Sequence, residues 1–390
     1  MPGGGGDEER ILGIQPTTAP AGNHHLQNIG PGASGAAQIA FASEALTIIN
    51  SECLNGPLST KIQAVTQIPG LLDTYPYKTI INSAFLKLSD LFQAIESNAF
   101  RFQVIKVFEA SRHHLRRVLH PTEVLQRVLR VVNSNDPMAR TMVMGLMGQA
   151  AEIFAGLVES QHAVLKGYGI FEDELELLAV VEATERFIQV EPGYLGVVWE
   201  TLVDRIEQGS EGGVADDETK ARMVRVLRHT ASLGSKELVR QAVGLCHRWM
   251  QRWNDSAVMV GATLSVLSSV VCCPGGEDAD VGTVLGRIVE WQREREHAAP
   301  QLSIIGPCNR AVQVISEWFL TVGADRMVTN EVAGMGEQIC QVISKELDCS
   351  GGPEDGLLSL ISIYRLLVVL LRMGGDSGSD RIEMVWDLAL

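Results

Sequence analysis

The sequence predicts an all-α protein, an α-solenoid of degenerate HEAT/armadillo-like helical hairpins. Three observations carry that reading. Apolar residues recur at spacings of three and four, as in Ile80, Ile81, Ala84, Phe85, Leu88, Leu91, Phe92 and Ile95, which places them on one helix face. No stretch alternates with period two among β-branched residues, so strand content should be near nil. Helical stretches of ten to twenty residues follow one another across short joints in greater number than one bundle core can hold.

The unit of the array is clearest at residues 120–154. Val124, Leu125, Val128, Leu129 and Val132 form one apolar stripe, and Asn135-Asp136-Pro137 turns the chain into the next helix. Asp136 suits the N-cap, since its carboxylate can accept an orphan first-turn amide, and Pro137 suits the first helical position. Arg140 follows as a first-turn contact. Beyond the turn, Met138, Met142, Leu146, Ala150 and Ile153 define one apolar line and Val143, Met147, Ala150 and Phe154 another, a stripe wide enough to pack on more than one neighbour.

The remaining elements follow in order. Residues 1–33 are rich in Gly, Pro, Thr and Asn, read as a disordered tail in which His24 and His25 are solvent-exposed. An alanine-rich helix runs from about Ser34 to Asn55-Gly56-Pro57, and a short helix, Leu58–Ile68, ends against Pro69-Gly70. After the striped helix at 80–95, Asn98 opens a helix carrying Phe100, Val104, Val107 and Phe108 that continues as a basic segment to Leu119. Past Lys166-Gly-Tyr-Gly169, helices are expected at 172–190, 193–207, 217–233, 236–253, 256–272, 280–297, 310–322, 327–347, 354–372 and 381–389. Gly209–Gly213, Pro274–Asp280 and Ser350–Gly356 form joints, and no strict repeat length is visible. The chain thus divides into a tail (1–33), a first repeat region (34–207) and continuing degenerate repeats (208–390).

Composition bounds the function. A formal charge of −15 makes the molecule as a whole repel nucleic acid and anionic membranes. Seven cysteines, odd in number and irregular in spacing, read as reduced thiols of an intracellular protein. The start of the chain lacks the basic and apolar regions of a signal peptide, and Leu357–Leu371 is too short and too interrupted to span a bilayer, so no membrane association is expected.

Catalytic signatures are absent: no phosphate-binding loop, dinucleotide fingerprint, nucleophile elbow or zinc-protease helix occurs. Asp278-Ala-Asp280 lacks the later ligands of a calcium loop, and adjacent Cys272 and Cys273 cannot make a zinc knuckle. His113, His114 and His120 stand among Arg112, Arg116 and Arg117, which favours a solvated basic helix end over a metal site. No enzyme activity, cofactor or metal is expected.

Charge is segregated along the chain. Residues 101–140 hold eight basic residues against three carboxylates, residues 172–191 hold seven carboxylates against Arg186, and 220–252 turn basic again with only Glu237 opposing. Stacked hairpins could merge Arg112, Arg116, Arg117, Arg127, Arg130, Arg222, Arg225 and Arg228 into a ridge contacting an acidic partner or a nucleic-acid backbone. The competing reading, and the favoured one, is that acidic and basic repeats neutralise one another laterally.

Three blocks carry a family resemblance: Tyr75-Pro-Tyr-Lys-Thr-Ile-Ile-Asn-Ser-Ala-Phe-Leu-Lys-Leu-Ser-Asp-Leu-Phe92, the basic segment Phe100–Leu119, and Ser134-Asn-Asp-Pro-Met-Ala-Arg140. In content, order and spacing they resemble the N-terminal region of subunit 7 of the Integrator complex, closely over about 60–155 and thinly past 207. The resemblance implies a helical-repeat scaffold in the nucleus, with other Integrator subunits as partners and RNA polymerase II associated indirectly. It implies a place in small nuclear RNA 3′-end processing and nascent-transcript cleavage, the cutting being done by another subunit, of metallo-β-lactamase fold. That enzyme's His-x-His-x-Asp-His signature does not occur here. Family members are considerably longer, which leaves a shortened homologue and an incomplete gene product as readings of a chain that stops at Leu390. The glycine-rich joints after Gly167 also depart from the family. Outside the family, an unrelated armadillo-like adaptor and a nucleic-acid-binding module remain the alternatives.

Overall fold

A computed structural model describes residues 34–208, 217–253 and 256–271. Among them every regular element is helical. The expected tail at 1–33, the Gly209–Gly213 joint, Cys272, Cys273 and every helix expected beyond 272 lie outside the described residues.

Successive helices pair into hairpins. The first joins α1 (Gly35–Asn55) to α2 (Leu58–Val65), with α3 (Ile68–Thr74) leading on to the second, α4 (Lys78–Ala94) and α5 (Asn98–Ala110). The third joins α6 (Pro121–Leu129) to α7 (Pro137–Gln149). The short α8 (Ala151–Phe154) precedes the fourth, α9 (Val158–Ile170) and α10 (Glu174–Val190). The fifth pairs α11 (Tyr194–Gln208) with α12 (Asp217–Val226), and α13 (Thr230–Leu233) leads to the last, α14 (Lys236–Arg252) with α15 (Ala257–Val271). The second helices stack in sequence, α2 on α5, α7, α10, α12 and α15, while α1, α4 and α6 stack alongside as a second layer. Each hairpin packs on its neighbours in the chain, the one-dimensional logic of a solenoid.

The core lies between the two layers. Phe85, Phe92, Phe100, Phe108, Phe154, Phe187 and Trp249 are fully buried, each worth about 1.5–3 kcal/mol on removal from water. Phe85 and Phe108 meet edge to face with centroids 4.9 Å apart. Two buried phenol hydroxyls are satisfied: Tyr168 donates to Thr184 at 2.9 Å, and Tyr194 donates to the Gln161 carbonyl at 3.0 Å.

Contacts between hairpins reveal the repeat length that the sequence concealed. Asn98 bonds Asp136 across 38 residues, Arg140 bonds Glu176 across 36, Arg112 bonds Glu152 across 40, Ser256 bonds Asp217 across 39 and Trp249 bonds Glu207 across 42. These separations of 36 to 42 residues lie at and just below the repeat length of HEAT and armadillo proteins, about 40–47 residues.

Several boundaries differ from the sequence reading, each for a physical reason. Pro69 lies in the first turn of α3 instead of ending a helix, because proline lacks only an amide that the first turn leaves unbonded anyway. The basic segment after α5 breaks at Ser111 into a 3-10 turn, Arg112–Arg117. The helix after Pro137 likewise breaks at Ala150. Its buried face comprises Ala139, Val143, Met144, Leu146, Met147 and Gly148, leaving Met138 exposed, so the apolar line through Met138 is displaced by one position. Lys166-Gly-Tyr-Gly169 lies inside α9, not at a joint. Gly167 is there for contact: a Cβ would sit 2.7 Å from Val180 Cγ2 of α10.

Candidate functional site

Two constellations carry the candidate side chains: the joint around Asp136 and the cleft between α10 and α12. At the joint, Asp136 caps α7 by accepting the Met138 amide at 3.0 Å. Its second oxygen accepts the Asn98 side-chain amide at 2.6 Å, and that bond holds the carboxyl below its ordinary value. Asn98 in turn accepts from buried Arg101, which also donates to the Phe92 carbonyl at 3.2 Å. Pro137 occupies the first turn of α7. Arg140 grips Glu176 of α10 with Nε at 2.6 Å and Nη2 at 3.2 Å, while Nη1 donates to the Ser134 carbonyl at 2.6 Å. Its guanidinium also lies 5.8 Å from the Phe171 ring. Arg140 thus joins two hairpins, more than the first-turn contact expected of it. The joint is a polar rivet through three successive repeats.

The first basic segment is tied down in the same way. Arg112 and Arg116, from the 3-10 turn, both donate to Glu152 of α8, at 2.9 and 2.8 Å. Burial would raise Glu152, yet the two guanidiniums outweigh it and hold the carboxyl low. Arg127 meets Asp90 at 2.6 Å, Arg130 reaches the Gln93 amide oxygen at 3.4 Å, and Arg117 reaches the Pro76 carbonyl at 3.5 Å. Arg112, Arg116 and Arg127 thus meet carboxylates of neighbouring elements, whereas Arg130 and Arg117 reach only uncharged oxygens.

Of the three histidines, His113 and His120 are exposed as expected of a solvated end, and His114 departs from it. His114 is buried, and its Nε2 and that of exposed His113 both stand 2.9 Å from Asp73 Oδ1. The three groups are close enough to share an ion. However, His114 Nδ1 is buried without a partner, and an ion on Nε2 would put a proton on Nδ1 with no acceptor. Hydrogen bonding to Asp73 suits the geometry better, and it holds the Asp73 carboxyl below its ordinary value.

The second basic segment behaves differently. Arg222, Arg225 and Arg228 from α12 and the turn that follows it line a cleft of about 500 Å³ with Leu178, Val181, Glu182, Glu185, Arg186 and Gln189 of α10. Arg228 and His229 converge on Glu185 and keep it ionised, with the His229 bond as the main cause. The remaining pairs are long: Arg225 to Glu218 at 3.3 Å, Arg222 to Glu218 at 3.6 Å and Arg186 to Glu182 at 3.9 Å. Arg186 went unassigned in the sequence reading, although its position as the lone cation on an acidic helix was a signal.

Comparison with known proteins matches this repeat array to one family. The family model for the N-terminal region of Integrator complex subunit 7 matches residues 55–272, more than half of the chain. The chain belongs to that family. Integrator complex subunit 7 of Gallus gallus is 30% identical over 207 residues, covering 52% of this chain and 21% of that protein. The Homo sapiens protein is 30% identical over 189 residues, covering 48% and 19%. The match therefore spans about a fifth of the length of these curated relatives. Among solved structures, Kap121p bound to Nup53p aligns with a TM-score of 0.57 at 13% identity, over 88% of this chain and 35% of that one, a likeness of fold alone. The matched residues include the Asp136 joint, the Arg112–Glu152 pair and the α10–α12 cleft.

Proposed function

We propose that this chain is a non-catalytic scaffold subunit of the Integrator complex, located in the nucleus. It supports RNA polymerase II-associated small nuclear RNA 3′-end processing and nascent-transcript cleavage by holding other subunits in place. In the same reading, residues 208–390 continue the degenerate repeats of 34–207, and polymerase is reached indirectly through those subunits. The observation that carries the proposal is the family match over 55–272, laid on stacked hairpins whose titratable groups serve contacts between repeats. Four groups support this reading: Cys53 and Cys246 are buried thiols with raised pKa, and the carboxylates Glu152 and Glu176 face arginines. Against the nucleic-acid alternative stands the pairing of Arg112, Arg116 and Arg127 with carboxylates.

Affinity purification of the tagged chain from nuclear extract tests the proposal. Recovery with other Integrator subunits is expected; recovery without any of them would overturn it.

A further inference from the structure

Arginines that bridge hairpins and three of those at the α10–α12 cleft are held by different geometry, Arg228 on Glu185 being a bridging pair. Arg127 and Arg140 meet carboxylates of a neighbouring hairpin at 2.6 Å, and Arg112 does so at 2.9 Å. Those guanidiniums are committed to holding repeats together. At the α10–α12 cleft, Arg186, Arg222 and Arg225 keep carboxylates of their own helices, at 3.9, 3.6 and 3.3 Å. Glu218 is shared between two of them. Long pairs at the surface stabilise a fold very little, so an incoming anion can displace them at small cost.

We propose that this cleft docks an acidic, extended segment of a protein partner. Its carboxylates bind Arg186, Arg222 and Arg225, and an apolar side chain between them rests on half-buried Leu178 and buried Val181. A guanidinium presents a planar fork of donors that matches a carboxylate with two parallel bonds, which favours arginine over lysine for this task. The overall charge of −15 sharpens the selection, because an acidic segment is repelled by the molecule as a whole and attracted where cations gather. A nucleic-acid strand fits the cleft poorly. Glu182 and Glu185 stand on the same wall as Arg186, and a phosphate backbone, charged at every step, cannot avoid them, whereas a peptide can set an uncharged residue opposite them. The identity of the partner as another Integrator subunit rests on the function proposed above, whereas the chemistry of the cleft does not.

Fluorescence anisotropy on the full chain tests the cleft, using a short labelled peptide of alternating Glu and Leu as probe. Binding is expected at low salt, weakening as salt rises, and absent for the same peptide with Gln in place of Glu. Arg222→Ala with Arg225→Ala should weaken it about tenfold, while Arg130→Ala, in another hairpin, leaves it unchanged. Circular dichroism confirms that each variant is folded, and Arg222→Gln with Arg225→Gln replaces the alanine pair if that pair loses helicity. Equal affinity for the Gln peptide, unchanged affinity in the double variant, or a single-stranded RNA that displaces the peptide would each overturn the proposal. Co-purification from nuclear extract reads complex membership separately, so failure of one inference is distinguishable from failure of the other.

Discussion

Removing Arg140 should uncouple two repeats. Glu176 is 2% exposed and bound through both oxygens, and Arg140 is the only cation paired with it among the described residues. Breaking a buried ion pair by removing one partner costs about 3–5 kcal/mol, because the remaining charge stays buried and unpaired. Arg140 is 21% exposed, so water can reach part of the site, and about 2–4 kcal/mol is the expected cost of Arg140→Ala. Loss of the bond to the Ser134 carbonyl is included in that figure. Arg140→Ala combined with Glu176→Leu should recover most of the loss, since an apolar pair leaves no buried charge. Repeat arrays can lose two-state cooperativity, so the appropriate readout is hydrogen exchange resolved by segment, with urea denaturation alongside. Amides of α7 and α10 should lose protection first. A cost under about 1 kcal/mol, or a double variant no more stable than the single, would refute the reasoning.

Glycine substitutions in helices should divide by what a Cβ would meet. Gly167→Ala drives a methyl to 2.7 Å from Val180 Cγ2 and 3.2 Å from Phe171, and overpacking of about 1–3 kcal/mol should outweigh the helix-propensity gain in a thermal melt. Gly244→Ala in α14 meets nothing within 4 Å and should stabilise by about 0.5–1 kcal/mol in the same assay. Asp73, Asp136, Glu152 and Glu185 all have lowered folded-state pKa values, so their contribution is complete above the unfolded carboxylate range of about 4 and declines as pH falls through the folded values. Acid titration followed by circular dichroism should therefore show a plateau near neutrality and loss below about pH 4, and Asn98→Ala should move the Asp136 titration upward in NMR. Cys53, raised to about 11 by burial, should resist alkylation at neutral pH until the chain is denatured, as peptide mass spectrometry would record.

Helix type and most helix positions were legible because burial follows a period of three to four, as at Ile80 to Phe92. The Asp136 turn was legible because N-cap and first-turn chemistry are local. What the sequence concealed depends on neighbours about one repeat away. Glycines at 167 and 169 look like punctuation until α10 is seen against Gly167, whose missing side chain makes room for Val180. His114 reads as solvated until the 3-10 turn carries it inward toward Asp73. Arg112 and Arg222 are indistinguishable in sequence, both basic residues in basic stretches. Their partners separate them, Glu152 from another hairpin at 2.9 Å against Glu218 from the same helix at 3.6 Å.

That difference decides how charge is used in this solenoid. A repeat array must fix each hairpin against the next and also leave some surface free for partners. Short pairs between hairpins, as at Arg127–Asp90 and Arg140–Glu176, serve the first need, and spending a guanidinium on them removes it from recognition. Where a carboxylate belongs to the arginine's own helix, at 3.3 Å or beyond, the cation stays available without loosening the stack. A count of basic residues per segment therefore overstates the binding surface at 101–140. The same count understates it at α10, where the single arginine among four carboxylates lines the cleft with three more from α12 and the turn that follows it.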